Sequence, residues 1–457
     1  MTPQPTPHSC EPARPRPARP RRATAALAVG LLTAAALPTL AAGAAHAAGA
    51  AAPLPPGTYV YVANAASNSV SVIDTASQTV VATVPVGSAP TGIAASADGH
   101  RVYVTDSGSS SVSVIDTQAA SGPAVVASIA VGRQPQSAAL SPDGTRLYVG
   151  DDIAGTVSVI DTASDTVLST IAAGPGAEGL AVSPDGSRVY AADTGGSSVT
   201  VIDAATDTVV TTVPVGQTPV GLTVSPDGSH VYVPDYGSGQ VSVIDTATET
   251  VSATVAVGAN PHSAAVSPDG ATVYVTDAGS GTVSVISTAT ETLSSTFSVG
   301  VAPHGIALAV APTGGSAYIA EYGAASVSAV NLASDAVTAT IGVGTNPVYL
   351  AVSVIKPLPT ALTAGTAQLS LLPLGEANLN AKLTSDGVPV AGQKITFTAS
   401  DGRVLCTATT NSHGKAVCNT APGLLESVAV LLTGYTATFA GSTYYLPSCA
   451  HGETALL

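Results

Sequence analysis

A unit of about 42 residues recurs seven times and dictates how the chain can fold. Tyr61, Tyr103, Tyr148, Tyr190, Tyr232, Tyr274 and Tyr318 head the copies, at steps of 42, 45, 42, 42, 42 and 44 residues. Asp74, Asp116, Asp161, Asp203, Asp245, Ser287 and Asn331 follow at the same steps, thirteen behind each Tyr. Each copy holds four short runs, in the fifth "HVYVPD", "VSVID", "VSATVAVG" and "SAAVS". Their alternation of apolar and small polar residues is the period-2 pattern of strands half buried between sheets. "SPDG" begins at Ser141, Ser183, Ser225 and Ser267, and "SADG" at Ser96. Pro presets φ there, Asp bonds the turn backbone and Gly takes the left-handed position, so these residues belong to hairpins. "DTATET" makes the next turn, where Asp and Thr oxygens cap freed amides.

Seven four-stranded units predict a ring, because radial repetition leaves few exposed sheet edges. The chain enters the repeat at "YVYVAN", a second strand, and leaves at "VYLAVS", a first strand. The last blade is therefore expected to join the final strand to the first three and clasp the ring. The residues carrying the pattern, "LYVGD", "VYVTD", "VSVIDTATETV", "VAVG" and "SPDG", resemble the YVTN family of β-propeller repeats found in bacterial and archaeal surface proteins. The expected fold is all-β: a seven-bladed β-propeller over residues 57–354, then a small immunoglobulin-like β-sandwich.

Before the repeat, five Arg between Arg14 and Arg22 precede the apolar run "ATAALAVGLLTAAALPTLAAGAA", and "AHA" ends at Ala47. This reads as a secretion signal over residues 1–47, exported by the general or the twin-arginine route, with no membrane span in the mature chain. Without those residues the chain has 9 basic and 28 acidic residues, a net charge of −19. Residues 57–354 hold 4 Arg, no Lys and 23 acids. Such a field repels nucleic acid and anionic membranes and favours solubility outside the cell.

In propellers the fourth-to-first and second-to-third strand connections share one face. "VGANPH" and "VTDAGSGT" are assigned to this first face, and "SPDG" and "DTATET" to the second, where "DTQAASGPAVV" and "IALAVAPTG" carry the length variations. Two rings of positions are expected on the first face. The inner one, around the channel, is Thr91, Gln136, Glu178, Val220, His262, His304 and Val348. The outer one is Asn64, Asp106, Asp151, Asp193, Asp235, Asp277 and Glu321, with Tyr236 and Tyr322 each following a member. Glu178, Asp193, Asp235, Tyr236, His262, Asp277, His304, Glu321 and Tyr322 are the candidate ligand-binding residues. Imidazoles and carboxylates on one rim could hold a divalent cation or a polar ligand. Equally, each His could cap a loop and each Asp accept amide bonds within its own turn.

Beyond Ser353 the segment "VIKPLPTALTAG" reads as a linker, and residues 360–452 contain strand-like runs including "QKITFTA", "VLCTATT", "KAVCNT", "SVAVLL" and "GYTATFAG". "DGVPVAGQKITFTA" with "GYTATFAGSTYYLPS" resembles bacterial immunoglobulin-like repeats, which implies a β-sandwich. Cys406 and Cys418 flank the turn "NSHG" symmetrically, so a disulfide is expected across a hairpin, while Cys449 is left as a free thiol or an intermolecular link.

No nucleophile elbow, phosphate loop, paired-Cys zinc motif or haem-attachment motif occurs. The expected function is non-enzymatic binding or scaffolding outside the cell, with a protein, glycan or cell-wall component as partner and no resident cofactor. The competing expectation is an exported metal-dependent lactonase- or lyase-like enzyme using His262, His304, Glu178 and Asp235. Oligomeric state is left open.

Overall fold

A computed structural model describes residues 53–311, 314–370, 376–400, 402–420 and 434–456. The expected signal segment, the run "SVAVLL" and part of the addition in "IALAVAPTG" lie outside the described residues. The chain divides into two compact units, with the repeat inside Ala50–Lys356 and the later strands in Pro357–Leu457. Among the described residues no helix is long and apolar enough to cross a membrane.

Seven four-stranded antiparallel sheets carry the repeat. The first blade is Pro90–Ala95, Arg101–Asp106, Ser111–Asp116 and Ala124–Ala130, from inside to outside. The seventh combines Pro347–Ile355 with Gly57–Asn64, Ser69–Asp74 and Thr79–Pro85, in that order. Its clasp is an antiparallel ladder in which Tyr59 faces Ser353 and Tyr61 faces Ala351. The final strand runs two residues past the expected "VYLAVS", to Ile355, which is buried against Tyr59 and Tyr61.

The core is divided among seven blade-to-blade clusters. Tyr148, Val157 and Val159 pack on Val189 and Ala191 of the next blade, and Tyr190, Val199 and Val201 on Val231 and Val233 of the one after. Each Tyr of the repeat is the wedge of such an interface. The small polar positions of "SVSVID" do not face solvent as the alternation suggested. Ser71, Ser113, Ser158, Thr200, Ser242, Ser284 and Ser328 are all buried. A blade is covered on both faces, so the polar period marks hydroxyls turned into an interface, where each needs a partner. Only the outermost strands face water, as the pattern of exposed and half-buried residues at Thr250–Ala256 shows.

On the second face basic residues opening second strands meet acids of later turns: Arg146 lies 2.9 Å from Asp207, Arg188 2.8 Å from Asp203, and His230 3.8 Å from Glu291. Of the remaining Arg residues, Arg101 opens a second strand as well, whereas Arg133 is exposed in a first-face loop.

The later unit has two sheets sharing one core of Leu362, Leu379, Leu383, Ile395, Phe397, Tyr435 and Phe439. Cys406 and Cys418 are bonded, with Cα atoms 6.4 Å apart, but not across a hairpin. Val404–Thr409 pairs with Lys394–Ala399, whereas Lys415–Thr420 pairs with Glu376–Ser385 in the other sheet. The turn "NSHG" therefore crosses between sheets, and the disulfide ties them together. No described cysteine is free, Cys449 included. Reducing the full chain should lower the stability of this unit by about 3 kcal/mol, the entropic value of so short a loop. The repeat, which contains no Cys, should melt unchanged. Calorimetry with and without reductant checks this, and a shift in both transitions would contradict it.

Candidate functional site

Side chains of the outer ring are held inside their own blades. Asp106, Asp151, Asp193, Asp235, Asp277 and Glu321 end second strands and are 0–3% exposed. Each accepts from the hydroxyl seven residues on: Ser113, Ser158, Thr200 and Ser242 donate at 2.7 Å, Ser284 at 2.8 Å, and Ser328 bonds Glu321. A second donor stands five residues on, such as Thr156 at 3.0 Å and Thr282 at 2.9 Å. A Cβ on Gly87, Gly132, Gly216 or Gly258 would collide with the carboxylate, so glycine brings the fourth-to-first loop down onto the acid. One oxygen of each of the five aspartates is buried without a hydrogen-bond partner. Burial raises these carboxyls above their usual range despite the hydroxyl donors, Asp193 to about 6. In the seventh blade Asn64 takes the place of the acid and donates to Ser71 at 2.9 Å.

The inner ring differs because its residues fall on a β-bulge. Registers shift between Pro135 and Ser137, Ala177 and Gly179, and Pro261 and Ser263. Gln136, Glu178 and His262 are the bulged residues, and a bulge re-aims a side chain out of the pleat. In the fourth blade the ladder opens further, leaving a Pro219–Asp235 bridge and the two-residue strand Thr223–Val224.

His262 and His304 meet on adjacent blades. Their rings stack at 4.1 Å and 17°, and His304 stacks on Tyr322 at 4.5 Å and 9°. Tyr236 meets His262 edge-on at 6.3 Å, and Tyr349 lies 5.6 Å from it. The Nδ1 of each imidazole is buried without a partner. Burial lowers the pKa of His262 to about 3, helped by the neighbouring His304, and that of His304 to about 4. Both are neutral at pH 7. Burial raises the Glu178 carboxyl, although Thr194 Oγ1 donates to it at 3.0 Å.

The structure thus assembles His262, His304, Tyr322 and Tyr236 at the mouth. It leaves Asp193, Asp235, Asp277 and Glu321 under the surrounding loops. A divalent cation, one of the two ligands this rim could have held, does not fit the donor set. Two rings stacked face to face hold their lone pairs in separate, nearly parallel planes, whereas a metal needs converging ligands. Among the described residues no three His, Cys, Asp or Glu side chains cluster for a metal.

Sequence reasoning missed Tyr349. The third residues of the inner strands read Gly92, Ser137, Gly179, Gly221, Ser263, Gly305 and Tyr349. A single large residue among six small ones was the available signal.

Residues 161–305 match the family described as a seven-bladed β-propeller lactonase, and residues 38–140 a YNCE-like β-propeller. No curated protein matches the chain in sequence. A protein of unknown function from Desulfotomaculum acetoxidans is similar in structure at 19% identity and TM-score 0.58, over 65% of this chain and 99% of that one. A candidate 6-phosphogluconolactonase from Bacteroides uniformis follows at 17% and 0.54, over 65% and 99%. The hydrazine synthase of Kuenenia stuttgartiensis reaches 24% and 0.51, over 57% and 88%. At these identities the likeness is one of fold. Seven closed sheets and two propeller-family matches make the repeat a seven-bladed β-propeller.

Proposed function

We propose that the protein is an exported binding protein, a YVTN-type propeller with an appended immunoglobulin-like module. Its first face would take an uncharged ligand of the cell surface, a glycan above all, at the channel mouth. The observation that carries this is the stacked pair His262–His304 with both Nδ1 atoms buried and unpartnered. A buried unpaired nitrogen destabilises a fold by about 1–3 kcal/mol. The fold does not require it, since the equivalent positions hold Thr91, Gln136, Val220 and Val348 in other blades. Tyr236 and Tyr322, each more than a third exposed, flank the pair and offer aromatic faces on which sugar C–H groups rest. The Nε2 atoms are not among the buried unpartnered groups and are left to donate to, or accept from, ligand hydroxyls.

The double variant H262A/H304A should melt no lower than the parent and lose at least tenfold in affinity for any glycan that the parent captures on an array. Retained capture by that variant would overturn the reading.

A second reading, lactonase-like hydrolysis, is favoured by the match over residues 161–305. In it a neutral imidazole at the mouth takes a proton from water as that water's oxygen adds to the lactone carbonyl, and the Glu178 carboxyl, when protonated, gives one to the ring oxygen as the C–O bond breaks. Turnover of a neutral lactone abolished by E178Q would establish it in place of pure binding.

A further inference from the structure

On the second face the chain itself fills one junction between blades. Where the seventh blade meets the first, residues 53–56, "PLPP", are seated beside the turn that follows Asp116. Leu54 is 5% exposed and belongs to one core cluster with Tyr59, Tyr61 and Ile355. Its N–H donates to the Thr117 carbonyl at 3.4 Å, and Gln118 Nε2 donates to its carbonyl at 3.3 Å. The Tyr59 hydroxyl donates to the Pro55 carbonyl at 2.8 Å. Three prolines carry no N–H, so the segment brings a single backbone donor into the junction and has little freedom to lose there.

The repeat reproduces this seat elsewhere. Thr246 and Thr288 stand where Thr117 does, and Arg188 and His230 stand where Tyr59 does, two residues before the wedge Tyr. A groove of about 590 Å³ between the third and fourth blades is lined by Arg188, Tyr190 and Thr246. One of about 430 Å³ between the fourth and fifth is lined by His230, Tyr232 and Thr288. Both lie within the ~300–1,000 Å³ of ligand clefts. Arg188 bonds Asp203 through Nη1 at 2.8 Å and has further N–H groups to give, while His230 bonds Ser229 through Nδ1 at 2.7 Å and presents Nε2. Two other junctions are closed at this point. Arg146 Nη1 donates to the Ala204 carbonyl at 2.9 Å, and Leu332 of the sixth blade packs into its own interface. Acids prevail in both grooves: Asp185, Asp227 and Glu249 against Arg188 in the first, and Asp227 and Asp269 beside His230 in the second.

We propose that these two grooves dock a proline-flanked leucine segment of a partner protein, with basic residues beside the prolines. The leucine lies against Tyr190 or Tyr232. Its N–H donates to the Thr246 or Thr288 carbonyl, and the next carbonyl accepts from Arg188 or His230, as residues 53–56 are held at the filled junction. Lysine or arginine on either side answers the acids of the groove walls. The site is on the face opposite the channel mouth with its imidazole pair, and it does not depend on what binds there.

Saturation-transfer NMR on the full chain tests this with the peptide Lys-Pro-Leu-Pro-Pro-Lys as probe. Transfer to the leucine methyls is expected at millimolar peptide. Replacing both lysines of the peptide by glutamate should weaken binding at least fivefold, as should aspartate in place of its leucine. T246L/T288L gives both seats the residue that the sixth blade has at Leu332, and should abolish transfer, with thermal melts reporting that the variant is folded. A247Q/A289Q supplies the amide that Gln118 gives to Leu54, at two exposed positions, and should strengthen binding at least threefold. No transfer, equal transfer to the glutamate peptide, transfer surviving in a folded T246L/T288L, or no gain in A247Q/A289Q would overturn the proposal. Sedimentation of the parent without peptide supplies the last arm. Self-association that L54A abolishes would assign the grooves to the entering segment of a second copy and overturn the partner.

Discussion

Replacing Pro347–Ile355 by a glycine–serine segment of equal length should lower the melting temperature of the propeller by about 10 °C or more. The segment supplies the innermost strand of the seventh blade and carries Val348, Leu350 and Ile355, all buried. At ~2 kcal/mol for each buried aliphatic side chain, about 6 kcal/mol is lost. That is a large share of the roughly 5–15 kcal/mol by which proteins are stable. One kcal/mol moves the midpoint of a domain approaching this size by about 2 °C. The edge of Gly57–Asn64 is also left unpaired, with Tyr61, Val60 and Val62, buried in the parent, at the break. A circular permutant opened between Pro85 and Pro90, in which the seventh blade is continuous in sequence, should keep the parent's melting temperature. Unchanged melting of the replaced chain would mean that the clasp does not hold the ring.

That clasp was legible because the frame of the repeat begins and ends in mid-blade. The Tyr spacing identified the wedge residues, and "SPDG" identified its turns, since both signals are local. The polar half of "SVSVID" was not legible as buried. A period of two reports two different faces, and only the neighbouring blade decides whether the second is wet. Asp235 and His262 look equally functional in sequence. One lies in the ladder, with Ser242 and Gln240 supplied by the next strand of its own hairpin, while the other sits on a bulge that leaves its ring unsatisfied. Bulges depend on register across strands some 15 residues apart, so the separation of ring from ring waited for the structure. Cys406–Cys418 shows the same limit, in that spacing announced the bond but not the sheets it would join.

Stability should pass through a maximum near pH 4 and decline toward neutrality. Burial raises the carboxyls of Asp106, Asp151, Asp193, Asp235 and Asp277 in the folded chain. An acid whose folded pKa is raised favours folding fully below its unfolded value, where both states are protonated. As pH rises from about 4 to the folded value, the unfolded chain ionises first and that stability is lost. The turn acids act oppositely. Ser183 and Ser225 hydroxyls, with backbone amides, hold Asp185 and Asp227 down at about 2, so what they contribute is lost as pH falls from about 4 to 2. Urea midpoints from pH 2.5 to 8 should therefore describe a dome.

Asp193, raised to about 6 and 1% exposed, stands for the neutral limb. The shift corresponds to up to about 3 kcal/mol. D193N should remove that much of the difference between pH 4 and pH 7.5, and Asn64 shows that an amide can serve the same hydroxyls in the seventh blade. General repulsion within residues 57–354, with 4 Arg against 23 acids, would give a similar limb, but it would respond as strongly to D335N in an outer turn. Stability that rises steadily from pH 4 to 7.5 would show that the ring is ionised at no cost, and that its unpartnered oxygens are satisfied.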